Sequence, residues 1–400
     1  MSGRTYLAIP GPSVVPERVL NAMHRASPNI YEGEVVEMMD GLMADLRRVA
    51  VTRQNAAIYI ANGHGAWEAA NANLFSRGDK ALLVATGLFG TGWASSAIRL
   101  GVDVEVMDCG KSGAANPDLI AERLQTDISH NIKVLMVTHV DTASSAKNDI
   151  AAIRRAIDAA GHPALLAVDA VASLGCDDLR MDDWGVDVIV GASQKGLMMP
   201  PGLAFLWFSH KARERSAESD LRTPYWDWSP RTDGAEFWHY FGGTAPTQHL
   251  FGMREALDMI LNEEGLENVW QRHHTLARCV WLALDAWSAG HSHIGLNIAD
   301  PSARGHSVTA ARIGNGGALK LRRWMEQETG VTLGIGLGMA LSSEPAYGDF
   351  FRIGHMGHVN AHMVLGVLSS IEAGMESLGI ARGVGAIEAA AKAFSAGARP

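Results

Sequence analysis

The chain has 400 residues, of which 47% are hydrophobic and 19% charged, with a formal net charge of −9 and a pI near 6.0. That acidic balance disfavours a nucleic-acid or anionic-membrane partner, and no run is long and apolar enough to suggest a bilayer-spanning helix. The three scattered cysteines, Cys109, Cys176 and Cys279, form no disulfide framework, and the N-terminus has no signal-peptide pattern, so the expected compartment is the cytoplasm.

The length exceeds one ordinary core and predicts domains of unequal size: an N-terminal arm over 1–20, a large domain over 21–260 and a small C-terminal domain over 261–400. Short apolar runs at 57–60, 81–85, 102–107, 134–138, 164–169, 187–191 and 203–208 alternate with helical spacing such as 150–160. Alternating strands and helices predict an α/β fold, a mainly parallel sheet of seven strands between helices. Residues 210–245 read as irregular, rich in Trp, Tyr, Pro and Gly. Helical patterns follow at 247–262 and 266–289, then a mixed region with elements at 307–313, 318–328, 350–353 and 361–378, read as a smaller α+β domain. The Ala-rich tail from about Ala389 is expected to fray.

Two strand ends carry the chemistry. Asp169 closes the apolar run Leu165-Leu166-Ala167-Val168, and Lys195 follows the next run within Gly191-Ala192-Ser193-Gln194-Lys195-Gly196. In parallel sheets ligands bind beyond the carboxyl ends of the strands. A buried ammonium is costly, and a Schiff base is one good reason for one. A lysine and a carboxylate so placed suit pyridoxal phosphate, which needs an imine-forming amine and an acid partner for its pyridine nitrogen. Asn62-Gly63-His64-Gly65 ends the first strand of the sheet and opens a helix, where backbone N–H groups can face an anion. Gly334-Ile335-Gly336-Leu337-Gly338 has glycines like a dinucleotide loop but no βαβ context, and the histidine pairs lack metal-ligand spacing.

Seven segments stand together in order: Gly11-Pro12-Ser13, Asn62-Gly63-His64-Gly65, Thr138-His139-Val140-Asp141-Thr142, Val168-Asp169-Ala170-Val171-Ala172-Ser173, Ser193-Gln194-Lys195, Glu264-Gly265-Leu266-Glu267-Asn268-Val269, and Phe351-Arg352-Ile353-Gly354-His355-Met356-Gly357. In that order the chain resembles the class V, fold-type I pyridoxal-phosphate aminotransferases, on their serine/alanine–glyoxylate branch. The resemblance implies a Schiff base at Lys195, which also moves the substrate proton, and Asp169 on the pyridine nitrogen. It implies Gly63, His64 and Gln194 around the phosphate with Asn62 beside them, and Thr142 near the ring hydroxyl. Phe89 would stack on one ring face and Val171 pack on the other. Arg352 would clamp the substrate carboxylate, with Gly11 and Tyr31 on the substrate side, and Thr244 would reach the phosphate of a partner subunit in a homodimer with shared sites.

The implied activity is transfer of an amino group from serine or alanine to glyoxylate or pyruvate. Departures keep two alternatives open, pyridoxamine as donor to pyruvate, or another amino acid such as aspartate. Ser27-Pro28-Asn29-Ile30-Tyr31 stands where relatives carry His-Arg-Ser, and Phe241-Gly242-Gly243 precedes Thr244 where they tend to carry a tyrosine. No cysteine follows Cys279 to serve a desulfurase, and no glycine fingerprint after the first strand serves a nicotinamide dehydrogenase.

Overall fold

In the computed structural model, which describes residues 3–232 and 236–397, the strand β1 (Tyr6–Ala8) precedes the seven apolar runs. Those runs form β2 (Asn55–Ala61), β3 (Lys80–Ala85), β4 (Asp103–Asp108), β5 (Ile132–Thr138), β6 (Leu165–Asp169), β7 (Val188–Ala192) and β8 (Gly202–Phe208). They make one sheet in the order β2-β8-β7-β6-β5-β3-β4, parallel from β7 to β4, with β8 antiparallel to both its neighbours. Side chains alternate across it with the period of two that strands impose. Ile58, Leu82, Leu135, Leu166, Ile189 and Phe205 enter the core on one face. Tyr59, Leu83, Met136, Ala167, Val190 and Leu206 enter the core on the other. Helices cover both faces, which is why β7, and β6 up to its final Asp169, are apolar.

A second sheet contains β9 (Ile294–Leu296), β10 (Val308–Ile313), β11 (Val331–Ile335) and β12 (Phe350–Gly354), in the order β1-β11-β12-β10-β9. The strand from the N-terminal arm thus lies parallel to β11 at the edge of the C-terminal sheet. The three-residue strands β1 and β9 carry too little periodicity to be read, and neither they nor β11 were expected. The glycine-rich run at 334–338 begins inside β11, where Gly334 pairs with Arg352, so it continues a paired strand and is not the turn of a βαβ unit.

Two expectations need correction. The tail does not fray from Ala389: Ala386–Gly397 is a helix whose Ala386, Ala390 and Ala393 are buried in the core shared with helix Leu266–Ser288. Alanine is the strongest helix former, and its small side chain lets that helix sit close to its neighbour. Nor is 210–245 wholly irregular: His210–Glu218 is helical, with the Ser209 side chain accepting from the Ala212 amide as its N-cap.

A buried polar cluster joins the two sheets. The Asp177 carboxylate, 1% exposed, lies 3.1 Å from His306 Nδ1 and 3.6 Å from Lys147 Nζ. Burial acts to raise its pKa, but His306 and Lys147 hold it below the usual value. His355 Nδ1 and Nε2 lie 2.8 Å from the His306 carbonyl and 2.9 Å from Thr309 Oγ1. Burial pushes His139, His306 and His355 each down from 6.5 to about 4. Between those values the unfolded chain takes up protons that the folded chain refuses, so stability rises with pH across that window. The unfolding midpoint should therefore fall steadily on acidification from about pH 6.5 to about 4, measured by calorimetry, and a flat midpoint over that range contradicts the assignment.

Candidate active site

The carboxyl edge of the large sheet gathers the candidate residues. Lys195 lies three residues beyond β7, in a turn that Ser193 closes by donating from Oγ to the Pro200 carbonyl at 2.7 Å. The N-terminal arm fastens this turn: the Ser13 amide donates to the Gln194 carbonyl at 3.0 Å, and Ser13 Oγ to the Lys195 carbonyl at 2.7 Å. The arm also supplies the Pro10 carbonyl that accepts from Lys195 Nζ. Gly11 has φ +94°, and a Cβ there would lie 2.6 Å from Lys195 Cδ and Cε. The positive φ favours glycine at this position, and any side chain there would displace the Lys195 side chain from its present place. Lys195 is 8% exposed. Burial first, and then the Arg352 charge, lower its amine from 10.5 to about 8, which puts a neutral amine within reach of ordinary pH.

Asp169 ends β6 and is 4% exposed. Its Oδ1 accepts from the Val171 amide at 2.8 Å and its Oδ2 from the Trp67 indole at 2.9 Å. Burial raises its pKa from 3.8 to about 6, with the Asp141 charge adding to the rise. Both Asp169 and Lys195 line one cavity of about 220 Å³. Asn62, Gly63 and His64 reach it from the start of helix Gly63–Leu74, Thr142 from beyond β5, Gln194 from the lysine turn, and Gly11 from the arm. Phe89 and Val171 give it apolar surface. A Cβ at Gly63 would come within 3.1 Å of Val171, so a side chain there would crowd the apolar wall of the cavity. The Gln194 Oε1 atom is buried with no hydrogen-bond partner among the described residues, and buried polar atoms are seldom left so.

Three candidates lie off the cavity wall. Arg352 is 6% exposed, and donates from Nε to the Ile335 carbonyl at 2.7 Å and from Nη1 to the Thr142 carbonyl at 2.8 Å. Burial lowers its pKa to about 10, which leaves it a cation at neutral pH. Tyr31 is 75% exposed, its ring edge-on to Trp238 at 6.3 Å. Thr244 is exposed between Gly243 and the buried Ala245.

Two participants were missed. Trp67 lines the cavity four residues after Gly63, and that i, i+4 spacing on one helix was the signal that could have found it. Asp141 is fully buried and accepts from the amides of Phe89 at 2.9 Å, Gly90 at 3.1 Å and Ala143 at 2.9 Å. It caps the helix that carries Phe89 while standing next to Thr142, so one carboxylate fixes both. A lone aspartate in a loop gave no sign of that.

The family described as Aminotransferase class-V matches residues 5–354 of this chain. The serine–glyoxylate aminotransferase of Methylorubrum extorquens is 36% identical over 401 residues, covering 98% of this chain and 96% of the relative. The L-aspartate–glyoxylate aminotransferase of Paracoccus denitrificans is 36% identical over 394 residues, with 98% and 96% covered. Among solved structures, the pyridoxamine–pyruvate aminotransferase of Mesorhizobium loti superposes with a TM-score of 0.88 at 26% identity, covering 99% of this chain and 98% of that one.

Lys195→Ala keeps the backbone bond from Ser13 and the turn closure at Ser193. It should melt close to the parent and retain no measurable transaminase turnover. Turnover near the parental rate in the folded variant removes Lys195 from the chemistry.

Proposed function

Because the chain belongs to the class-V aminotransferases, which are pyridoxal-phosphate-dependent transaminases, we propose that it passes the amino group of serine or alanine to glyoxylate or pyruvate in two half-reactions. One observation carries the choice of small, uncharged donors. The cavity is only about 220 Å³, and among the described residues no arginine lines it, Arg352 standing behind Thr142. The residues present fit the cofactor, with a buried acid for the ring nitrogen, a glycine at the helix start where a side chain would crowd Val171, and the Gln194 side chain, whose Oε1 has no partner among the described residues.

When bound, pyridoxal phosphate supplies an electrophilic carbonyl carbon and a ring that draws electrons from the substrate Cα. Asp169 would accept from the ring nitrogen and keep it protonated. Lys195, with its amine lowered to about 8, would offer a neutral amine as the nucleophile for that carbon and would serve as the base that carries the Cα proton. Phe89 and Val171 would hold the ring faces, and Thr142 the ring hydroxyl. Gly63, His64 and Gln194 would hold the phosphate, with Asn62 at the helix start.

Arg352 would bind the substrate carboxylate, with Gly11 and Tyr31 on the substrate side. Its Nε and Nη1 are committed to carbonyls, and its Nη2 makes no hydrogen bond among the described residues. The exposure of Thr244 and Tyr31 in the single chain supports a homodimer in which Thr244 reaches the partner's phosphate. We further infer a cytoplasmic enzyme of three parts, an N-terminal arm over 1–20, a large domain over 21–260 and a small domain over 261–400. No helix among the described residues is long and apolar enough to cross a membrane.

A second reading, free pyridoxamine as donor, draws on one observation. Asn62 Oδ1 accepts from the His64 amide at 3.0 Å and the Gly65 amide at 3.4 Å, so the chain itself takes up N–H groups that would otherwise face a phosphate.

A donor panel with glyoxylate as acceptor tests the proposal. Serine or alanine should be used best. A preference for aspartate overturns the small-donor proposal, and a preference for pyridoxamine establishes the second reading in its place. Arg352→Lys, which cannot present a planar fork, should lose about 2–5 kcal/mol of transition-state binding to amino acids and little cofactor affinity. Equal losses in both, measured as kcat/KM and as cofactor Kd, contradict the clamp.

A further inference from the structure

We propose that Trp67 is a positioning residue for the acid partner: its indole N–H holds the Asp169 carboxylate ionised and turned to the cavity, so that Trp67 acts through Asp169. This rests on Asp169 being the partner of the cofactor's ring nitrogen.

Asp169 has one donor on each oxygen. The Val171 amide on Oδ1 is two residues along the chain and comes with the turn whatever side chains surround it. The Trp67 Nε1 donor on Oδ2, at 2.9 Å, is the one hydrogen bond that a side chain of the described residues gives this carboxylate. The Lys195 charge favours ionisation, whereas burial and a second carboxylate oppose it. Asp169 is 4% exposed, and the fully buried Asp141 carboxylate adds its repulsion. A carboxylate so placed drifts toward the neutral acid when it loses a donor. A neutral acid cannot keep a ring nitrogen protonated.

The indole is also fixed in place. Trp67 stacks on Trp93 with centroids 6.4 Å apart and planes 12° from parallel. Trp93 in turn donates from Nε1 to Asn71 Oδ1 at 3.1 Å, and Asn71 is one helical turn beyond Trp67. The His64 ring packs 4.6 Å from Trp67, and the Phe89 ring meets it edge-on at 6.4 Å. One rigid indole therefore touches the helix start, the ring-stacking candidate and the acid together. An apolar side chain would fill the same helix face, but a buried indole N–H needs an acceptor, and here the acceptor is Asp169.

The test is a double-mutant cycle on the full chain, with Trp67→Phe, Asp169→Asn and both. Phenylalanine keeps a ring against Trp93 and deletes the donor. In the parent background, Trp67→Phe should weaken pyridoxal phosphate binding to the apoprotein roughly tenfold, the scale of one hydrogen bond to a charged group. Its kcat should fall by a similar factor, with KM for the amino donor changed less than about twofold. In the Asp169→Asn background the same substitution should add less than about twofold to the loss of affinity.

Equal losses in both backgrounds mean packing alone and overturn the proposal, as does parental affinity in Trp67→Phe. Parental affinity and turnover in Asp169→Asn alone overturn the role of Asp169 itself, a distinguishable failure. A 15N-labelled apoprotein gives a readout that needs no stable Trp67 variant. One indole resonance should titrate with pH in the parent and lose that titration in Asp169→Asn, and the absence of any such resonance overturns the proposal.

Discussion

An ammonium and a carboxylate are both taken out of water at the carboxyl edge of one sheet, and the surrounding structure compensates that burial. Removing either charge from solvent is expensive without partners. Asp169 keeps its charge marginal through two N–H donors, and Lys195 finds the Pro10 carbonyl. Both groups shift toward neutrality, the acid to about 6 and the amine to about 8. That places each near the pH at which proton transfer is easiest. Strands β6 and β7 are hydrogen-bonded neighbours, so the two groups arrive at one edge as a consequence of sheet order.

The cavity is made by distant parts of the chain. The arm brings Gly11 and Pro12 to its wall, the large sheet brings the acid and the amine, and β12 places Arg352 behind the wall, on the Thr142 carbonyl. The arm also contributes β1 to the C-terminal sheet, where its register with β11 ties the Pro10–Gly11 turn to the strand beside Arg352. Arg272 donates to the carbonyls of Gly357 at 3.0 Å and Val359 at 2.9 Å, and His273 Nε2 accepts from the Gly357 amide at 2.9 Å. The segment after β12 is thereby anchored to the long connecting helix, and the buried histidines and Asp177 continue that anchorage between the sheets.

The central strands were legible because burial on both faces makes them uniformly apolar, and their helices because spacing shows through. Lys195 and Asp169 stood out for the opposite reason, as charges directly after such runs. Three kinds of feature were not legible. A short strand such as β1 exists through pairing with a distant partner, β11, which leaves no local trace. The alanine-rich helix Ala386–Gly397 read as a loose end because its burial depends on a neighbour about a hundred residues earlier in the chain. The roles of Trp67 and Asp141 depend on which backbone and side-chain groups they meet in space. The resemblance supplied Arg352 as a substrate clamp, and the structure adds that two of its donor sites already serve backbone carbonyls.

The most direct test is chemical trapping of the lysine–cofactor link. The protein, loaded with pyridoxal phosphate, is reduced with borohydride, digested and mapped by mass spectrometry. The account predicts one modified peptide, carrying the phosphopyridoxyl mass on Lys195. The same mass on another lysine, or none on Lys195 at full cofactor loading, would contradict it.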